Sequence, residues 1–380
     1  MFRGITCAIL LSIFSVSVCA QDHIERSTFQ SQILSSKREI VVALPQNYRQ
    51  NLNATYPVLY LLDGHDQIDH VYGTSKFLSL YNNVPETIIV GIQSGNRLQD
   101  LTPSSNANPT SGKGELFLDF IEGELIPHIN NTYRTADYKV FAGHSLGGLL
   151  VLHSFQTRPN LFQAHLAFSP SLWWNEQEII TNAKGLLKQA ASNKRYLYMN
   201  LGSETEIMVN GFEAYRALLE ENRSPNLTYK VETHQGETHT TTPIIGFFNA
   251  YRDLYKTWKL PNAKYPEGLA SVSAYHANLS DHYGYNIVPA EAIYNNLGHY
   301  YLSVVKDPKL AIKAFEKNIE NYPYSARAFG NLAVGLERDN QIEEAIKNFE
   351  KAMTLVNTDS PDFTVFMTNR DRLSALIPNE

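Results

Sequence analysis

The pentapeptide Gly143-His144-Ser145-Leu146-Gly147 follows the apolar run Lys139 to Ala142 and precedes the helical run Leu149 to Phe155. The bare G-x-S-x-G pattern says little in a chain with 21 glycines. Its setting between a strand and a helix gives it meaning: the flanking glycines let a sharp, strained turn form, and that turn lifts a serine Oγ above the end of a sheet. The helix that follows aims its N-terminal N–H groups, that of Leu146 first, at the point where an oxyanion would develop. The chemistry this permits is acyl transfer, with Ser145 as the attacking group.

A serine hydroxyl is a poor nucleophile near neutral pH, so a base must take its proton, and in such a fold the partners follow in the order Ser, acid, His. His239 and His234 both lie beyond the last β-rich run, and the turn character of Gly236-Glu237-Thr238-His239 favours His239 over His234, which reads comfortably as a solvated strand-end histidine. His128 and His165 read as structural, and His144 as a packing residue of the elbow. Gly202-Ser203-Glu204-Thr205-Glu206 offers two carboxylates after the run Tyr196 to Leu201. Glu204 sits nearer the strand end and is the expected acid; Glu206 is its competitor. A second oxyanion donor belongs in the loop Leu61-Leu62-Asp63-Gly64-His65, where the glycine would let the His65 N–H approach a substrate. Asp63 reads there as a turn acid.

These side chains need elements to hold them. From Thr28 to about Trp258, short β-rich runs alternate with amphipathic stretches, the signature of helices packed on a mostly parallel sheet. The expected strands are Glu39 to Leu44, Val58 to Leu62, Thr87 to Ile92, Lys139 to Ala142, Ala164 to Phe168, Tyr196 to Leu201 and Leu227 to Glu232. Several are apolar throughout, as strands covered on both faces must be. Phe247, Phe248, Tyr251, Tyr255 and Trp258 recur at helical spacing over Thr242 to Trp258, which predicts a closing helix with an aromatic core stripe.

Lys259 to Gly268, with Pro261 and Pro266, reads as a linker. Beyond it Ala311, Phe315, Glu316 and Lys317 recur as Ala345, Phe349, Glu350 and Lys351, a constant offset of 34, which is the tetratricopeptide period. The expected division is a leader over 1–20, an α/β domain over 21–262, and a helical domain over 263–380 with repeats at about 291–325 and 326–359. Two such repeats bury too little alone, since about three are normally needed, so the stretch Val272 to Tyr283 is expected to cap them or dock them on the first domain. The repeats are a candidate surface for a protein partner or for self-association.

The leader reading rests on Arg3, the apolar stretch Ile5 to Val18, and Val18-Cys19-Ala20 ahead of Gln21, with cleavage expected after Ala20. A lipoprotein signal ending at Cys19 competes, but Val18 is large for the position before such a cysteine. Cys7 and Cys19 are the two cysteines of the chain, so the mature protein would hold no thiol for a disulfide, a cysteine nucleophile or a thiolate metal site. Export to a bacterial periplasm suits such a chain. A formal charge of −6 over 380 residues, without charge runs, carries no nucleic-acid footprint and no polybasic membrane patch. Nothing beyond the leader approaches the roughly 20 apolar residues of a spanning helix.

At four places in order the chain resembles the Putative esterase family of α/β-hydrolases, the group of enterochelin and other siderophore esterases, S-formylglutathione hydrolase, feruloyl esterases and mycolyltransferases. These are Tyr56-Pro57-Val58-Leu59-Tyr60-Leu61-Leu62-Asp63-Gly64, Arg97 through Asp100-Leu101-Thr102-Pro103, Gly143-His144-Ser145-Leu146-Gly147-Gly148, and Ser169-Pro170-Ser171-Leu172-Trp173-Trp174. The resemblance spans roughly Gln30 to Trp258. It implies a cofactor-free, metal-free Ser-His-acid mechanism with the oxyanion hole at His65 and Leu146. Within these motifs Trp173 and Trp174 are candidates either for a pocket wall or for core. Arg97 and Asp100 are candidates for binding a polar substrate group or for a salt bridge that shapes the loop. Hydrolysis of a small-molecule ester is the leading expectation; acyl transfer to an alcohol with the same residues, and a mainly partner-binding role of the repeats, are the alternatives.

Overall fold

The computed structural model describes residues 23–49, 51–106, 108–190 and 194–377; the leader expected over 1–20 lies outside them. Eight strands form one sheet in the order β1-β2-β4-β3-β5-β6-β7-β8, where β1 is Ile24–Ser31, β2 Ser36–Ala43, β3 Tyr56–Leu62, β4 Ile88–Ile92, β5 Thr135–His144, β6 Ala164–Phe168, β7 Arg195–Leu201 and β8 Leu227–Thr233. β1 and β2 pair antiparallel, as do β2 and β4, and every other pairing is parallel. The seven expected strands are therefore present with ends shifted by a few residues. β1 is the addition: its sequence IERSTFQS is mostly exposed, so it carries no apolar alternation to betray it.

All seven residues of β3 are buried, because the pleat sends alternate side chains to two covered faces. Val58, Tyr60 and Leu62 pack with Phe117, Leu149 and Phe212 on one side. Leu59 and Leu61 pack with Ile68, Phe247 and Tyr251 on the other. Register then decides where the chemistry goes: Leu62 pairs with Ile92, His144 with Phe168, Phe168 with Asn200, and Leu201 with Thr233. The carboxyl ends of β3 to β8 are thus level, and the loops that leave them converge on one rim.

The helix Thr242–Leu254 buries Phe247, Tyr251 and Leu254 as the aromatic spacing predicts. The next helix, Leu269–Tyr283, divides its contacts. Leu279 and Tyr283 join the core under the sheet, and Val272 joins the core of the helices that follow. Tyr283 stands edge-on to Tyr138 with ring centroids 5.4 Å apart, and its hydroxyl donates to the Leu254 carbonyl at 3.1 Å. Beyond it lie Glu291–Tyr300, Pro308–Asn321, Ala326–Arg338, Ile342–Met353 and Pro361–Ser374, and each of the last four packs on the one before it. Asp307, Ser325 and Ser360 cap three of these helices through their side chains, each satisfying free N–H groups of a first turn. Ala311, Phe315, Ala345 and Phe349, the positions related by the offset of 34, are all buried. The last helix brings Phe366 against Phe349 at 6.4 Å and so covers the open side of the second pair.

His165 sits in β6 with no solvent exposure and neither ring nitrogen hydrogen-bonded. The edges of Phe155 and Phe162 enclose it, and burial pushes its pKa down to about 3. An imidazole held neutral in the folded state still takes a proton in the unfolded state below its ordinary pKa, so stability falls as pH drops from about 6.5 toward 3. The slope is at most ~1.4 kcal/mol per pH unit. His165→Leu should therefore flatten the loss of melting temperature between pH 6.5 and pH 4, read by circular dichroism; an unchanged pH profile would contradict this account.

Candidate active site

Ser145 stands at the end of β5 with φ 60 and ψ −116, a backbone that a non-glycine residue holds only when its surroundings enforce it. Three hydrogen bonds do so: Ser145 N–H donates to the Phe168 carbonyl, and the Ser145 carbonyl accepts from the N–H groups of Leu149 and Ser171, all at 3.0 Å. The turn closes because Gly143 has no side chain. A Cβ there would lie 2.6 Å from the Gly147 carbonyl carbon and oxygen. The Ser145 hydroxyl meets the Ser171 hydroxyl at 3.2 Å.

The loop after β8 brings His239 to the same rim, where its Nδ1 meets Glu204 Oε2 at 2.7 Å. A carboxylate only accepts, so Nδ1 carries the proton and Nε2 is left as a base. The Glu204 side chain is just 3% exposed. Burial pushes its pKa up, but hydrogen bonds from His239, Ser169 and the Gly202 N–H outweigh this and hold it below the usual carboxylate range. Ser169 Oγ donates to Glu204 Oε1 at 2.5 Å, and Thr242 Oγ1 lies 2.7 Å from Ser169 Oγ. Of the two expected carboxylates, the structure brings Glu204 to the histidine. Glu206 opens the helix Glu206–Glu221 and points to solvent.

His234, expected to be solvated, is half-buried and lies within 3.4 Å of the Tyr198 hydroxyl and 3.8 Å of Glu232. Tyr198 sits in the core under the sheet, so the pairing turns His234 away from the serine. His144 does more than pack: its ring lies 4.5 Å from that of His239, and its Nε2 is 2.7 Å from the His239 carbonyl oxygen.

On the side of β3, the His65 N–H faces the Gln93 carboxamide oxygen at 3.3 Å. The loop reaches that position because Gly64 packs directly on Gly91; a Cβ on Gly64 would lie 2.3 Å from the Gly91 Cα. Asp63 is a turn acid, as expected. Its carboxylate takes a two-pronged pair of 2.9 Å bonds from Arg97. Of the two readings for Arg97, the structure forms the salt bridge, though with Asp63. Asp100 is buried and pairs with Arg38 at 3.1 Å.

A cleft of about 490 Å³ opens over these residues, lined by Ser145, Ser171, Trp173, Thr205, Met208 and His239 among others. Trp173 is 37% exposed on its wall. Trp174 is the core tryptophan: it is buried, and its indole N–H donates to the Ser104 carbonyl, so the expectation of a pocket wall fails for it. Sequence reasoning assigned no role to Ser169, Ser171, Thr242 or Gln93. The first two lie inside the Ser169-Pro170-Ser171 motif; the other two carry no local pattern.

An eight-stranded sheet, an elbow serine at the end of β5 and a histidine–glutamate pair on the neighbouring loops define the class, an α/β-hydrolase. Within it, the chain belongs to the Putative esterase family, whose profile matches residues 31–242. It is similar to the ferri-bacillibactin esterase BesA of Bacillus subtilis, 32% identical over 168 residues that make up 37% of this chain and 57% of that protein. The siderophore triacetylfusarinine C esterase of Aspergillus fumigatus is 39% identical over 92 residues, 23% of this chain and 32% of that one. The matched segments thus span less than two thirds of either relative. The solved structure of an IroE-like serine hydrolase from Shewanella oneidensis matches with a TM-score of 0.68 and 28% identity, over 78% of this chain and 99% of that one.

Removing a donor from a buried carboxylate raises its pKa and loosens what it holds. Ser169→Ala should lower kcat on a p-nitrophenyl ester roughly tenfold, the equivalent of one charged hydrogen bond. The deficit should deepen between pH 8 and pH 5, as Glu204 protonates at higher pH than in the parent. A pH-independent deficit would remove Ser169 from the support of Glu204.

Proposed function

We propose that this chain is an exported serine ester hydrolase that cleaves a carboxylic ester through an acyl-Ser145 intermediate. The observation that carries the reading is the 2.7 Å bond from His239 Nδ1 to Glu204 beside an elbow serine, because it fixes the tautomer a base requires. Ser145 turns from Ser171 to His239, gives its proton to Nε2 and attacks the ester carbonyl carbon. The oxyanion is received by the backbone N–H groups of Leu146 and His65, the latter released by the Gln93 carboxamide. The tetrahedral intermediate collapses, the alkoxide leaves with the proton from His239, and Ser145 remains acylated. A water molecule, deprotonated by the same imidazole, then releases the acid and restores the serine.

The names of the two curated relatives support siderophore-type or other small polar esters as substrates. Trp173 and Met208 supply an apolar wall for part of such a molecule. Export rests on the leader pattern of the first twenty residues. No cofactor enters the mechanism.

The decisive assay is hydrolysis of p-nitrophenyl acetate and butyrate, followed by a siderophore and feruloyl ester panel. Ser145→Ala and His239→Ala should each lose on the order of 10³-fold or more in kcat, and Glu204→Gln less, as the acid of a triad contributes less than the other two members. Retention of activity in both Ser145→Ala and His239→Ala would end the proposal. Acyl transfer would be indicated if added alcohol acceptors raised turnover well above hydrolysis.

A further inference from the structure

We propose that His144, the residue covalently next to the nucleophile, is a positioning residue that ties the base to the serine by holding the backbone of His239. The inference rests on the reading of His239 as the base. The carbonyl of His239 can only accept a hydrogen bond, so His144 Nε2, 2.7 Å away, must be the protonated ring nitrogen and the donor. The Thr242 hydroxyl also lies 3.1 Å from this carbonyl, but its single proton is taken by Ser169 Oγ at 2.7 Å, because Ser169 gives its own proton to Glu204. His144 is therefore the donor that fixes this peptide group, and that peptide belongs to the loop residue whose ring must face Ser145.

The contact of the rings adds a second constraint. The His144 and His239 centroids are 4.5 Å apart with planes inclined by 46°, so His144 blocks the side on which the His239 ring would otherwise swing away. His144 closes β5 and pairs with Phe168 in the sheet, so it is anchored by the scaffold while His239 sits on a loop. A base on a loop keeps its distance to a nucleophile on a strand end only if something joins the two, and a displacement of about 1 Å can cost on the order of 10²-fold in rate.

The donor role also requires His144 to face a base that becomes charged during turnover without charging itself. Burial and the charge of the neighbouring His239 ring push its pKa down to about 4, with Arg97 acting in the same direction and the hydrogen bond to the His239 carbonyl and Asp63 acting against it. The Nε2–H is therefore carried by a neutral ring at neutral pH, and no second positive charge opposes protonation of His239.

Three variants separate donor, ring and bulk: His144→Phe keeps a ring without the donor, His144→Gln keeps an N–H donor without the ring, and His144→Ala removes both. Steady-state kinetics on p-nitrophenyl butyrate, with melting temperature as the control for folding, should show kcat reduced about 10- to 100-fold in His144→Phe with KM within about twofold. His144→Gln should recover most of that loss, and His144→Ala, where it folds, should be at least as impaired as His144→Phe. The inference is overturned if His144→Phe turns over like the parent, if the loss falls on KM, or if His144→Gln is no better than His144→Phe. His239→Ala is measured alongside. If it stays active, the reading of the base fails; if it is inactive while His144→Phe matches the parent, only the present inference fails.

Discussion

A buried carboxylate is the constraint around which the rim of this sheet is organised. Glu204 cannot keep its charge in an almost dry position unless its oxygens are satisfied, and three separate pieces of chain satisfy them: the loop after β6 through Ser169, the turn after β7 through the Gly202 N–H, and the loop after β8 through His239. Each donor is itself fixed. Thr242 braces Ser169, and Asn200 donates to the Thr242 carbonyl from the end of β7. Precision at the imidazole is therefore inherited from electrostatic necessity at the acid.

The elbow supplies the complementary half. Its strained serine is held by backbone groups of β6 and of the loop that follows, so the same loop touches Ser145 through Ser171 and Glu204 through Ser169. One short segment, Ser169-Pro170-Ser171, thus touches both Ser145 and Glu204. On the far side, Arg97, in the segment after β4, pins Asp63 in the loop after β3, next to the turn that carries the His65 N–H.

Much of this was legible in the sequence, and the reasons differ from residue to residue. Continuous apolar runs gave β3, β4 and β6, because burial on both faces leaves no other composition. The elbow was legible because its geometry tolerates few residue types. Glu204 could be ranked above Glu206 from distance to the strand end alone. β1 was not legible, since an exposed edge strand has no patterned face. Trp173 and Trp174 could not be told apart, because they are adjacent residues of one type at the turn where the helix Trp174–Ala190 begins, and only packing says which meets the cleft. The pairings of Arg97 with Asp63 and of Arg38 with Asp100 cross more than thirty and sixty positions of chain, where no local spacing rule reaches. His144 looked like filler for the same reason: its partner is 95 residues away.

The helix Leu269–Tyr283 has its own consequence. It contributes side chains to the core under the sheet and to the core of the terminal helices, so the seam visible in the covalent chain at Lys259 to Gly268 is not a seam in the packing. Cutting at the proline-rich stretch would strip Tyr138 and Tyr255 of their cover. The two parts are consequently not interchangeable cassettes. Removing or replacing the terminal helices would therefore change the packing at the back of the sheet, where Tyr138, Tyr255 and Tyr283 meet.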